Sequence, residues 1–220
     1  MNKLFTTIFA LAVSCVTVSG MAQELKGDAA AGATKNAMCI GCHGIQGYQA
    51  SFPEVYKVPM ISGQNAKYIV SALHAYKKGD RKHPTMRGIA ETLSDQDIAD
   101  LAAYYSTSGQ AHAAELPATP TRDPGAIQAL LGKANCASCH GANFAKPIDP
   151  SYPILAGQYA DYLFVALKSY KVENNPQVGR NNAIMGGMVK LYTNAELKAL
   201  AGYLSTLDTD LKTVPESRFR

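Results

Sequence analysis

The run Cys39-Ile40-Gly41-Cys42-His43-Gly44 occurs a second time as Cys136-Ala137-Ser138-Cys139-His140-Gly141, and this repeated C-x-x-C-H constrains the chain more than any other feature. On a helical turn the two cysteines stand three positions apart and the histidine one further on, so all three side chains point to one side. Such a side can carry a flat macrocycle: two thiols bond the vinyl groups at one porphyrin edge while the imidazole beneath binds iron. Each motif is therefore read as a covalent haem c site. Cys39, Cys42, Cys136 and Cys139 are the attachment residues and His43 and His140 the proximal ligands, giving two haems. Two C-x-x-C pairs can also share one zinc ion, and a single pair can be a thiol-disulfide centre. A zinc site leaves both histidines without a role, and neither pair lies in the βαβ pattern of a thioredoxin-like motif.

Met1 to Ala22 reads as a secretory leader, with Lys3 as its positive end, an apolar run from Leu4 to Val18, and a small-residue cleavage site at Gly20-Met21-Ala22. The apolar run is short for a spanning helix, so the mature chain is expected in the periplasm; a retained leader would instead hold it at a membrane surface. Ala12-Val13-Ser14-Cys15 is a poor lipoprotein-type match. Cleavage removes Cys15, one of five cysteines, and leaves only those of the two motifs. No thiol then remains for a disulfide, an axial thiolate or a nucleophile. The formal charge of +4 falls by one with Lys3, and ionised haem propionates lower it further. This is not the balance of a nucleic-acid-binding protein.

The spacing of the motifs divides the 220 residues into two halves of about 95. The expected organisation is leader 1–22, first domain 23–113, linker 114–124 and second domain 125–220. Ala- and Leu-rich segments with turn signals, and almost no alternating β-branched run, predict an all-α protein. Asp28 should cap a helix running to about Met38 that delivers Cys39 and Cys42 at its end. Residues 45–62, with Pro53 and Pro59, read as irregular. A helix follows Gly63-Gln64, and Lys77 to Pro84 breaks it. Met86 is expected in a loop, and Ser94-Asp95-Gln96-Asp97 opens the last helix of this half with a near capping box. The segment around Pro117, Pro120 and Pro124 reads as an extended connector. The second half repeats the first: Pro59 to Gln64 matches Pro153 to Gln158, and Tyr68, Leu73, Tyr76 and Lys77 fall on Tyr162, Leu167, Tyr170 and Lys171.

The repeat selects candidates for the second axial ligand. Anchoring on Ser94 and Thr193 places Met86 on Met185, whereas Met188 falls on Ile89, Met38 on Asn135 and Met60 on Ile154. Only Met86 and Met185 are methionines in both copies, and they are the candidate iron ligands, although methionine also serves as adaptable core filler. Met188 is expected to pack in the core. His83 lies close enough to Met86 to compete for iron, but the second half has no equivalent; His74 and His112 read as surface or packing residues. The Lys77 to His83 basic segment would dock an acidic partner, neutralise propionates, or simply be a solvated helix end. Thioether ligation favours ferrous iron and raises the potential, and a filled sixth position leaves no open site for peroxide or oxygen.

The paired motifs, the Pro-x-x-x-Gly-Gln-x-x-x-Tyr segment and a methionine before Leu93-Ser94-Asp95-Gln96-Asp97 resemble the dihaem cytochrome c4 family over nearly all of the mature chain. The resemblance implies two tandem class I cytochrome c domains, each haem held by His and Met. It implies a periplasmic carrier taking electrons from a bc1-type donor to a terminal oxidase or reductase, rather than an enzyme. It also implies that the Pro59 and Pro153 carbonyls orient the proximal histidines. One departure is Tyr192 in place of the leucine seen as Leu93, away from the ligand set. A haem subunit of a flavocytochrome sulfide dehydrogenase-type complex shares this dihaem layout. A dihaem peroxidase or thiosulfate-oxidising enzyme would need an accessible iron or a cysteine ligand, and neither is evident.

Overall fold

The computed structural model describes residues 25–109 and 116–215. The expected leader with Cys15, and also His112, lie outside the described residues.

The Asp28 carboxylate accepts the N–H groups of Ala30 and Ala31 and caps α1 (Ala29–Lys35). The helix does not run on to Met38. Asn36 interrupts it at φ −79°, ψ 3°, and the first motif occupies a separate helix, α2 (Ala37–His43). Asparagine competes with the helical ladder through its own side chain, and here it is fully buried at the junction. Gly44 ends α2, returning its N–H to Ile40. The region read as irregular contains one short ladder, β1 (Gln49–Ala50) against β2 (Tyr56–Lys57).

Helix α3 (Ala66–Lys78) buries Ile69 and Tyr76 and stops at Gly79, whose φ of 81° is the left-handed conformation glycine adopts readily. After β3 (Arg81–Lys82) comes a correction: Met86 lies within α4 (Pro84–Glu91), not in a loop. Pro84 is the first residue of that helix, where its missing N–H goes unneeded. The Nδ1 of His83 accepts the Met86 N–H at 3.3 Å and caps it. Helix α5 (Asp95–Thr107) opens with a complete Ser94–Asp97 capping box.

The second half contains α6 (Ile127–Lys133), α7 (Ala137–His140), α8 (Ala160–Ser169), β4 (Gly179–Arg180), α9 (Ala183–Val189) and α10 (Asn194–Leu204), the last capped by Thr193 and Glu196. Each half has its own core. Ile98 and Leu101 anchor one and their repeat equivalents Leu197 and Leu200 the other, all nearly fully buried. No helix among the described residues is long and apolar enough to cross a membrane.

The halves meet through β3 and β4, which pair antiparallel with Arg81 opposite Arg180. The chain also returns on itself: the Lys212 N–H donates to the Ser62 carbonyl at 3.0 Å. At neighbouring Gly63, φ +83°, an added Cβ would sit 2.6 Å from the Asp210 carbonyl oxygen, so both the conformation and the close approach require glycine. The described part of the connector is not a free tether. Asn143 donates to the Pro117 carbonyl, Tyr203 to the Arg122 carbonyl, and Leu116 packs on the second core.

Candidate haem-binding cavity

One cavity of about 630 Å³ reaches both motifs. Cys39, Cys42, His43 and Met86 line it from the first half, and Cys136, Cys139, His140 and Met185 from the second. The structure thus brings every candidate site residue to one space. The short helices α2 and α7 present each motif, and the capped first turns of α4 and α9 present the methionines. In the second copy Asn182 takes the place of His83, accepting the Met185 N–H at 2.9 Å.

His43 Nδ1 lies 2.8 Å from the Pro59 carbonyl oxygen, and His140 Nδ1 lies 3.1 Å from that of Pro153. A carbonyl only accepts, so Nδ1 carries the ring proton in both and the Nε2 lone pair is left for a metal. Burial holds both imidazoles below their usual pKa, which keeps them neutral as ligation requires. His83 is the opposite case. Its Nδ1 accepts the Met86 N–H at 3.3 Å, an arrangement that puts the ring proton on Nε2. His74 faces Asp95 at 3.9 Å on the surface.

Burial pushes the Cys39 thiol up to about 11 and raises that of Cys136, and each has a phenol beside it. For Cys39 the phenol is Tyr105; for Cys136 it is Tyr192. The repeat explains the Tyr192 departure, because Leu93 with Tyr105 in one half becomes Tyr192 with Leu204 in the other. The phenol has exchanged places with a leucine, and Tyr192, expected to stand away from the site, touches an attachment cysteine.

Met188 also differs from expectation. It is 40% exposed, while Met185 is half-buried and packs on the second core. Met185 and Val189, four residues apart, share the inward face of α9.

The basic segment turns largely inward. Lys77 donates to the Leu93 carbonyl, and its equivalent Lys171 to the Tyr192 carbonyl. Lys82 crosses to the Asn175 carbonyl. Arg81 donates to Tyr68 and Tyr162, and Arg180 also reaches Tyr162. Both guanidiniums line the cavity, neither is in an ion pair among the described residues, and the Arg81 Nε is buried with no hydrogen-bond partner. Arg81 and Arg180 coincide when the halves are aligned on Ser94 and Thr193, so the repeat carried the signal that sequence reasoning overlooked.

These residues fit haem c: paired thiols, a neutral imidazole and a thioether in each half, an apolar lining, and two guanidiniums suited to ionised propionates. Two helical cores facing such a cavity define a c-type cytochrome with two haem sites. The chain belongs to the cytochrome c family, which matches residues 29–108 and 126–208, and within it to the dihaem cytochrome c4 group. It is 32% identical over 189 residues to cytochrome c4 of Thiocapsa roseopersicina, covering 82% of this chain and 93% of that one. It is 30% identical over 193 residues to the thiosulfate dehydrogenase electron acceptor of Stutzerimonas stutzeri (strain A1501), covering 80% and 82%. The crystal structure of reduced recombinant cytochrome c4 from Pseudomonas stutzeri superposes with a TM-score of 0.63 at 28% identity, over 83% of this chain and all of that one. The protein is a dihaem electron-transfer protein with two covalently bound haem c groups.

Proposed function

We propose that the exported, leader-free chain is a periplasmic carrier, not an enzyme, that takes electrons from a bc1-type donor and delivers them to a terminal oxidase or reductase. The observation that carries this is the convergence of His43 with Met86, and of His140 with Met185, on one cavity. In this reading Cys39, Cys42, Cys136 and Cys139 would attach the haems, and His43 with Met86 and His140 with Met185 would hold their irons. The domains span 23–113 and 125–220. Bound haem supplies reversible one-electron chemistry at iron. The chain's own contribution is electrostatic and geometric: Pro59 and Pro153 orient the imidazoles, the thioethers favour the ferrous state, and the buried phenols and leucines exclude water.

Stopped-flow mixing of the reduced holoprotein with candidate oxidases tests the acceptor, with rapid and complete oxidation expected. Rapid stoichiometric carbon monoxide binding at either haem would sink the carrier reading and favour an enzyme. A second donor is supported by the relative named as a thiosulfate dehydrogenase electron acceptor. Reduction by such a dehydrogenase with thiosulfate, and not by a bc1-type complex, would select it.

A further inference from the structure

Two buried glutamines connect the halves in a crossed pattern. Gln158, only 3% exposed, accepts the Met60 N–H at 3.1 Å and donates to the Met60 carbonyl at 2.9 Å. Gln64, 4% exposed, accepts the Ile154 N–H at 2.9 Å and donates to the Ile154 carbonyl at 3.1 Å. Their orientation is fixed, because each Oε1 also accepts the next residue's N–H, that of Tyr159 or Asn65.

The peptides they grip carry the point. The Met60 N–H and the Pro59 carbonyl belong to one peptide unit, and that carbonyl accepts the His43 Nδ1 proton at 2.8 Å. The Ile154 N–H and the Pro153 carbonyl likewise form one unit, and that carbonyl accepts from His140. Two continuous chains result: imidazole of the first half, peptide, glutamine of the second; and imidazole of the second half, peptide, glutamine of the first. A peptide whose N–H is engaged is a better acceptor at its carbonyl, by about 10–30% per bond in a low-dielectric setting. A stronger acceptor on Nδ1–H makes the imidazole a more basic ligand, which favours ferric iron.

We infer that Gln158 and Gln64 are positioning residues acting across the halves, each setting the ligand strength of the proximal histidine in the half it does not belong to. The inference rests on His43 and His140 being axial ligands. A mere staple between halves would change both haems together. This arrangement instead predicts that each substitution is felt at the distant motif.

The test uses the holoprotein, with each haem's potential followed through hyperfine-shifted proton signals assigned to its half by contacts with that half's residues. Gln158→Met, nearly isosteric but without hydrogen bonds, should raise the potential of the haem on Cys39 and Cys42, move the His43 ring-proton signals, and leave the other haem unchanged. Gln64→Met should give the mirror image. Gln158→Glu keeps an acceptor for the Met60 N–H and should return the first haem to the wild-type potential or below it. A shift at the variant's own haem, equal shifts at both, or no shift in folded protein overturns the inference. If Gln158→Met does not fold, Gln158→Glu decides: a first-haem potential above wild type overturns it. Failure of the ligand reading is seen separately, as wild-type protein lacking hyperfine-shifted His43 or His140 signals.

Discussion

Arg81 and Arg180 stand opposite one another in the β3–β4 pair, and both donate to the hydroxyl of Tyr162, at 2.8 and 3.2 Å. They also lie over the rings of Tyr76 and Tyr170, at 4.6 and 5.4 Å. One phenol oxygen is thus the shared acceptor for two cations at the contact between the halves. Tyr162→Phe leaves both donors short of an acceptor and should cost about 1–3 kcal/mol. Urea unfolding of the holoprotein measures it, and an unchanged midpoint would show that Tyr162 is dispensable.

The axial reading separates Met185 from Met188. Met185→Ala should abolish the sulfur-to-ferric-iron absorption of one haem, lower its potential, and cost about 2 kcal/mol or more as a half-buried truncation. Met188→Leu alters an exposed side chain and should cost under about 1 kcal/mol with ligation retained. Spectroelectrochemistry on both variants decides the matter. Loss of the absorption in Met188→Leu alone would reverse the assignment.

Gly32 allows α1 to lie directly on α5. A Cβ there would come within 2.1 Å of the Asp100 carbonyl oxygen and 2.7 Å of the Tyr104 Cβ. Gly32→Ala should therefore force the helices apart and destabilise by about 1–3 kcal/mol, despite alanine's better helix propensity. Thermal melting checks the sign; a stabilised variant would mean that the packing yields freely.

Lys35 bridges Asp97 at 2.8 Å and Asp100 at 2.6 Å. Its ammonium, with help from Ser94 and the Asp28 amide, holds both carboxyls below their usual range. Groups lowered in the folded state stabilise above the ordinary carboxylate pKa of about 4 and lose that contribution as pH falls through the folded values. Lys35→Met should be less stable than wild type at neutrality, and the gap should shrink between about pH 5 and about pH 3. Urea midpoints across that range test this, and a constant gap would contradict it.

The motifs, the helical class, the caps at Asp28 and Ser94 and the Met86–Met185 equivalence were legible because each is written in local spacing or in the repeat. The break at Asn36 was not, since it depends on a burial that only the folded chain creates. Pro84 misled because a proline serves equally as a helix breaker and as the first residue of a helix, and here it begins α4. Arg81 stood in a basic run open to docking a partner, neutralising propionates or simple solvation; its inward turn depends on Tyr162, far away in sequence. The Tyr192 exchange became intelligible only when Tyr105 was placed beside Cys39 and Tyr192 beside Cys136.

The pairing of Arg81 with Arg180, and of Gln64 and Gln158 with each other's proline loops, joins like to like. Two separate copies of a single half make contacts of this kind about a twofold axis, every residue serving on both sides. Fusing such copies into one chain needs a connector and no new surface. Once fused, each side is free to change alone, and the cysteine-side phenol, supplied from α5 in one half and from the turn before α10 in the other, records that freedom.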